Sequence, residues 1–429
     1  MTADIALPLV PKLRFREFRD TGNWQRAQIG ELATISKGKG VSKADIADDG
    51  AIPCIRYAEL YTHYGEVIRE PLFYTNVPPD ELVLSQTDDV ITPASGETRE
   101  DIARAACVIS AGIALGSDLN ILRSDLNGRF LSYLLNSPIR YAIARLAQGD
   151  TVAHLYPGQL SKVVVAYPTQ REQNKIADCL GSLDDLIALE ARMLDSLRQH
   201  KLGLVQQLFP QPGETVPRRR FDEFVDAPEW KPTSIGEHVD LLSGYAFDGN
   251  DIVENSTGTS LMRGINITEG RIRHHPDFDR YYLGPTNDLK KYVLREGDLV
   301  IGMDGSKVGK NSAVVSAQDA GSLLVQRVAR LRSDRQEITD FIFHYVNSTK
   351  FHAYVDRVNT SSGIPHISAK QINAFPFSLP TTDEQKRITN CLVALDERIT
   401  AQIQELEVLK RHKQGLLQQL FPSLEGTEH

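Results

Sequence analysis

The chain has 429 residues and a formal net charge of −8, with 48 Lys and Arg against 56 Asp and Glu. That balance excludes a protein that coats nucleic acid regardless of sequence, which is basic overall, but not a reader with its basic groups on one face. Apolar content of 41% and charged content of 24% fit a globular chain of two or three domains.

The first residues carry no basic segment followed by an apolar run, and no stretch approaches the roughly 18 apolar residues of a membrane span. Cys54, Cys107, Cys179 and Cys391 form no Cys-x-x-Cys pair. The expectation is a cytoplasmic protein with no membrane segment, disulfide framework or metal site.

In chain order, the first recognisable element is Arg14-Phe15-Arg16-Glu17-Phe18, followed by Trp24 and Ile29-Gly30-Glu31. The same frame returns as Arg220-Phe221-Asp222-Glu223-Phe224, Trp230 and Ile235-Gly236-Glu237, at a constant offset of 206 residues. Behind each frame lies a body of short β-rich runs bounded by Gly, Pro, Asp and Asn. Examples are Gly50 to Tyr57 and Glu296 to Gly302. Helical stretches are predicted over Phe130–Leu146 and Ile338–Val358. Fainter echoes link Leu122-Arg123-Ser124-Asp125 with Leu331-Arg332-Ser333-Asp334, and His154 and Gln159 with His366 and Gln371.

Each body ends in a shared segment. Pro168 to Gln173 parallels Pro380 to Gln385, and the likeness runs on to Gln-Gln-Leu-Phe-Pro at 206–210 and 418–422. Thr169 with Glu172, and Thr381 with Glu384, each fit a capping box. Apolar residues then recur at steps of three and four: Ile176, Leu180, Leu183, Ile187, Leu194, Leu197, Leu204 and Leu208, and Ile388, Leu392, Leu395, Ile399, Leu406, Leu409, Leu416 and Leu420. Pro210 and Pro422 end the runs. A helix of about 38 residues spans ~55 Å, and this stripe has the period of a coiled-coil seam. Glu190, Gln402, Lys201 and Lys413 interrupt the seam, as residues that fix register and partner do. Antiparallel pairing of the two helices is expected, relating the bodies by a pseudo-twofold axis at the ends of a rigid spacer.

The fold class expected is therefore mixed α/β (α+β): two globular bodies separated by two long helices forming an antiparallel coiled coil. The divisions are 1–167, 168–217, 218–379 and 380–429.

Several loops suit nucleic acid. In the first body the candidates are Lys37, Lys39 and Lys43 in a Gly-rich loop, Arg56, Thr98 and Arg99, and Gln148, Thr151 and His154. In the second they are Arg263, Asn266, Ser306, Lys307, Lys310, Ser361, Ser362 and His366. Lysines beside glycine let backbone and ammonium approach phosphate, and Arg, Asn and Gln pair with base edges. The loops after Asp89 and Asp298 align if those two aspartates are matched.

Enzyme motifs are poor. Gly305 to Asn311 is too short for a phosphate loop and has Asn311 where Ser or Thr holds magnesium. Asn76-Val77-Pro78-Pro79 is split by an extra residue relative to an amino-methyltransferase loop. Pro276-Asp277, Asp288 and Lys290 match a nuclease pattern only loosely, with no counterpart in the first body.

The frame resembles the specificity subunits of type I restriction-modification systems over essentially the whole chain. The carrying residues are Trp24 and Trp230 ahead of Ile-Gly-Glu, Ile52-Pro53-Cys54-Ile55-Arg56, and Glu296-Gly297-Asp298-Leu299-Val300. The most specific is the twice-written Pro-x-x-x-Glu-Gln with Leu180, Leu183, Asp184 and Leu392, Leu395, Asp396. The first body departs from the pattern where Asp88 replaces the usual Gly before Asp89. The resemblance implies two target recognition domains, each reading one half of a gapped double-stranded DNA sequence, and a spacer that docks two methyltransferase subunits and restriction/translocase subunits. It implies no catalytic residue or cofactor in this chain. S-adenosylmethionine and ATP/Mg belong to the partners, and adenine is the methylated base. The competing readings are a coiled-coil adaptor that binds no DNA, and a stand-alone nuclease or methyltransferase.

Overall fold

The computed structural model describes residues 9–149, 152–211, 214–359 and 365–422. The chain divides into two compact units: residues up to Arg192 together with those from Ile403 onward, and residues Met193–Gln402. Each unit thus takes helical segments from both shared regions. Among the described residues no helix is long and apolar enough to cross a membrane.

In the first unit, a five-stranded sheet has the order Ala33–Lys37, Leu119–Ser124, Asp89–Pro93, Ala106–Val108, Val67–Ile68. In the second, a four-stranded sheet runs Asp240–Ser243, Val328–Arg332, Leu299–Gly302, Ser312–Val314, repeating the first four positions of that order. The central antiparallel registers correspond: Leu122 faces Val90, and Leu331 faces Leu299. A two-stranded ribbon closes each body, Gln25–Gln28 with Val164–Tyr167 and Lys231–Ser234 with Pro376–Leu379.

Both predicted body helices exist but are broken. Gly128–Asn136 and Ile139–Leu146 are separated at Ser137 and Pro138, because proline has no N–H to continue the first helix. Gln336–Val346 and Thr349–Val358 are separated at Ser348, whose hydroxyl accepts from the Phe351 amide and so starts a new helix. Periodicity alone does not reveal such breaks, because the apolar stripe continues across them.

Each core is built round three rings. In the first unit Trp24 packs on Phe130 at 5.9 Å and on Phe421 at 6.2 Å. In the second, Trp230 packs on Phe341 at 5.7 Å and on Phe209 at 6.3 Å. The lone tryptophan of each half is therefore a core anchor, and the Phe of each Gln-Gln-Leu-Phe-Pro is its partner. Burying an aromatic ring of this size contributes about 2–3 kcal/mol.

The long helices, Gln170–Leu208 and Thr382–Gln419, match the sequence reading. Ile176, Leu180, Leu194, Ile388, Leu392, Leu395 and Leu406 are buried. Leu183, Ile187, Leu197, Leu204, Ile399, Leu409 and Leu416 are half-buried. Antiparallel pairing is visible in each unit separately. Lys413 meets Asp184 at 2.5 Å in the first, and Lys201 meets Asp396 at 2.6 Å in the second. The residue numbers of either pair add to 597, as one antiparallel register requires.

The capping-box expectation is corrected in one respect. The Glu384 amide does reach the Thr381 hydroxyl, at 3.4 Å. The carboxylates of Glu172 and Glu384, however, turn to buried arginines. Arg14 donates to Glu172 at 2.8 and 2.7 Å, and Arg220 to Glu384 at 2.8 and 2.6 Å. A guanidinium satisfies a buried carboxylate better than a single amide does.

Candidate nucleic-acid interface

The loops at the sheet end of each body hang on the same scaffold. Asp89 is buried and accepts from Arg123 at 3.0 Å. Asp298 is buried and accepts from Arg332 at 2.6 Å. The matching of Asp89 with Asp298 therefore has a physical basis, since each anchors the strand that carries the following loop. Asp88 takes the left-handed conformation (φ 65°) that Gly297 takes (φ 84°) in the second body. Aspartate tolerates this region better than most side chains, so the missing glycine leaves the turn intact. From there the strands deliver equivalent contacts. His154 pairs with Ser95 and His366 with Asp304 through the backbone. The Ala94 amide donates to Asp118 O and the Met303 amide to Arg327 O, both at 2.8 Å.

In the first body Lys37, Lys39 and Lys43 are exposed. Lys37 Nζ lies 5.9 Å from the centre of the exposed Tyr156 ring, and the His154 ring stacks on the other residue of that pair at 6.2 Å and 24°. Ser95 Oγ and His154 Nδ1 are 3.3 Å apart. Lys37, His154 and Tyr156 thus form a cationic and aromatic cluster of the kind that meets phosphate and sugar. Sequence reasoning missed Tyr156, and its place two residues after His154 in an exposed turn was the available signal. Thr98 and Arg99 are exposed, but the Thr98 hydroxyl caps the helix Arg99–Ile102 by accepting from the Asp101 amide at 3.1 Å. Gln148 is exposed and its backbone pairs with His154. Thr151 lies outside the described residues.

Arg56 is half-buried. Its guanidinium is held by the buried Glu59 at 2.6 Å and lies over Phe73. Asn266 is 1% exposed and its amide donates to Asp279 at 2.7 Å, an interior position.

In the second body Ser306 and Lys307 are exposed on the loop between the strands Leu299–Gly302 and Ser312–Val314. Lys307 pairs with Glu269 at 2.9 Å and Lys310 with Asp356 at 3.3 Å. A strand follows this loop, so no helix N-terminus is offered to a phosphate and the nucleotide-loop reading fails. Arg263 donates to the Phe278 carbonyl at 3.2 Å and lines a cavity of about 480 Å³ with Asp304, Asn311, Gln326 and Arg327. His366 is exposed. Ser361 and Ser362 lie outside the described residues. Among the described residues no group of three His, Cys, Asp or Glu is placed to hold a metal ion.

The helix pair carries its own electrostatics. Lys413 is gripped by Glu66 and Asp184, both at 2.5 Å, and the Tyr133 hydroxyl donates to Asp184 at 2.6 Å. Burial works against the Lys413 charge, but Glu66 and Asp184 outweigh it and raise the lysine above its ordinary value. Burial raises the Asp184 carboxyl in spite of Lys413. In the second unit Lys201 donates to both oxygens of Asp396, at 2.6 and 2.7 Å. Away from the seam, Leu186 and Leu189 are exposed on the first long helix, and Val393 and Val408 on the second.

The sequence matches the model of the type I restriction modification DNA specificity domain twice, over residues 21–199 and 228–411. It is 22% identical over 408 residues to the type I restriction enzyme MjaVIII specificity subunit of Methanocaldococcus jannaschii, covering 93% of this chain and 92% of that one. The fold is similar to the type I restriction-modification S subunit from M. genitalium, with a TM-score of 0.63 at 16% identity, covering 97% of this chain and 100% of that one. It is also similar to a chain solved for the complex assembly and conformational transition of a type I R-M system, with a TM-score of 0.54 at 17% identity, covering 92% and 96%. Two matched domains that together take up most of the sequence place the assignment beyond a local motif: the chain belongs to the type I restriction-modification DNA specificity family, whose members are the non-catalytic, sequence-selecting components of their complexes.

Proposed function

We propose that the two bodies each read one half of a gapped duplex target while the paired long helices carry methyltransferase subunits. The observation that carries this reading is one scaffold written twice with different side chains at the same turns. The anchors Asp89–Arg123 and Asp298–Arg332 are kept, but Asp118 and Arg327 stand at the equivalent position beside them. A duplicated frame with divergent tips suits two different half-sites. Exposed Leu186, Leu189, Val393 and Val408 on the helices suit a protein partner. On this reading S-adenosylmethionine chemistry, directed at the adenine amine, and ATP-driven restriction with Mg belong to the partner subunits, and the complex works in the cytoplasm. The net charge of −8 fits a division in which partners supply part of the phosphate-neutralising charge.

Exchanging residues 12–167 for those of a relative with another target tests the reading. The recognised sequence should change in one half-site only. Change in both halves would mean that the bodies do not read independently.

A further inference from the structure

We infer that Arg327, held by Asp304, is a base-reading residue of the second body and selects guanine at one position of its half-site. The inference rests on the proposed reading of DNA by this body and names a residue that does it.

Among the described residues only Asp88 and Arg327 have positive φ without being glycine. Asp88 is accounted for by the turn it shares with Gly297. Arg327, at φ 66°, has no such counterpart: the equivalent turn of the first body carries Asp118 in ordinary backbone. A left-handed arginine is strained, and such strain persists only where the surroundings impose it. Here they do. Arg327 O accepts from the Met303 amide at 2.8 Å, and the Gln326 amide donates to Tyr245 O at 2.7 Å.

The side chain is then aimed. Arg327 NH1 donates to Asp304 Oδ2 at 2.8 Å, and Asp304 is itself fixed by backbone pairing with His366. The guanidinium is 61% exposed and the carboxylate 25%. Among the described residues one of its five N–H groups is used, and the fork stands at the mouth of the cavity lined by Arg263, Asn311 and Gln326.

Two chemistries accept such a fork, a phosphate and the guanine edge with O6 and N7. The observations favour the base. A carboxylate beside the guanidinium cancels the charge that a phosphate anchor uses, while it improves the orientation that bidentate readout needs. A phosphate anchor also serves any sequence, so a duplicated frame has no reason to replace it with Asp118. A base-reading position must differ between bodies that read different bases. Adenine presents a donor beside its acceptor at that edge and is rejected by an all-donor fork.

The test is the methylation consensus of the assembled complex carrying the full chain, for wild type, Arg327→Gly and Asp304→Ala. Glycine adopts positive φ freely, so Arg327→Gly keeps the turn. The expected result is a guanine in one half-site whose requirement is lost in Arg327→Gly, discrimination falling roughly 10–100-fold, with the other half-site unchanged. Asp304→Ala should relax the same position while retaining methylation. An unchanged consensus in Arg327→Gly, or uniformly weaker methylation with the consensus intact, overturns the inference. If Arg327→Gly silences every site, Asp304→Ala decides, and an unrelaxed consensus there overturns it. A wild-type complex with no chain-dependent consensus would instead defeat the underlying DNA-reading proposal.

Discussion

Arg14 and Glu172 lie 158 positions apart and are joined by two hydrogen bonds of 2.8 and 2.7 Å, with both side chains almost wholly buried. The pair ties the opening frame of the first body to the root of the long helix, and Arg220 with Glu384 does the same in the second unit. Removing one member of a buried pair leaves an uncompensated charge and costs about 3–5 kcal/mol. Arg14→Met and Arg220→Met should each destabilise their own unit by that order, read as a lower urea midpoint.

The two tryptophans should respond unequally. Trp24 Nε1 donates to Glu172 at 3.3 Å, whereas Trp230 Nε1 is buried with no hydrogen-bond partner among the described residues. Trp24→Phe should cost more than Trp230→Phe by about 1–2 kcal/mol, measured by denaturant unfolding. Equal losses would show that the indole hydrogen bond contributes nothing.

The register pairs should also differ. Lys413 is mostly buried between two carboxylates, while Lys201 and Asp396 are 24% and 38% exposed. Lys413→Met should destabilise the first unit by about 2–4 kcal/mol, and Lys201→Met by no more than about 1. Without Lys413, burial and the nearby Glu66 charge hold a proton on Asp184 more tightly in the folded than in the unfolded chain. Lowering the pH towards 5 should therefore reduce the Lys413→Met deficit. A deficit that grows on acidification would contradict this.

His344 occupies the helix position matched by Tyr133 in the first body. Burial, then the nearby Lys201 charge, lowers it to about 3. A histidine whose folded value lies below its unfolded one (about 6.5) leaves stability intact above 6.5. Stability is then lost as pH falls from there towards 3, at most by roughly 1.4 kcal/mol per pH unit. His344→Phe should flatten this acid slope in the second unit. The measurement is the melting temperature between pH 7 and 5 for both proteins, and parallel slopes would exclude His344 as the cause.

Seam and outer positions of the helices separate folding from partner binding. Leu194 is 6% exposed and Leu189 54%. Leu194→Glu should cost the burial of a leucine, about 2 kcal/mol, plus the burial of a charge. Leu189→Glu should change stability by less than about 0.5 kcal/mol but weaken methyltransferase docking, as read by co-purification. Intact docking would remove this face from the interface.

The duplicated frame and the long helices were legible because repetition and periodicity are properties of the sequence itself. The seam lysines were legible as interruptions, but their partners Asp184 and Asp396 were not, because an antiparallel register has to be built before the two positions meet. The capping boxes misled at Glu172 and Glu384: a local motif was visible, and the distant arginine that claims the carboxylate was not. Residue type alone does not show that Asn266 lies in the interior with Asp279, or that the half-buried Arg56 is engaged by Glu59. Tyr156 meets Lys37, and Arg327 meets Asp304, only in the assembled fold, which places residues distant in the chain side by side.

On the proposed reading this chain chooses the DNA sequence on which a partner acts. Genome-wide adenine methylation, in cells expressing the partner methyltransferase with and without this chain, tests it most directly. A gapped, two-part consensus should appear only when the chain is present. An assembled complex with no chain-dependent methylation would contradict that reading and favour an adaptor that joins proteins without reading DNA.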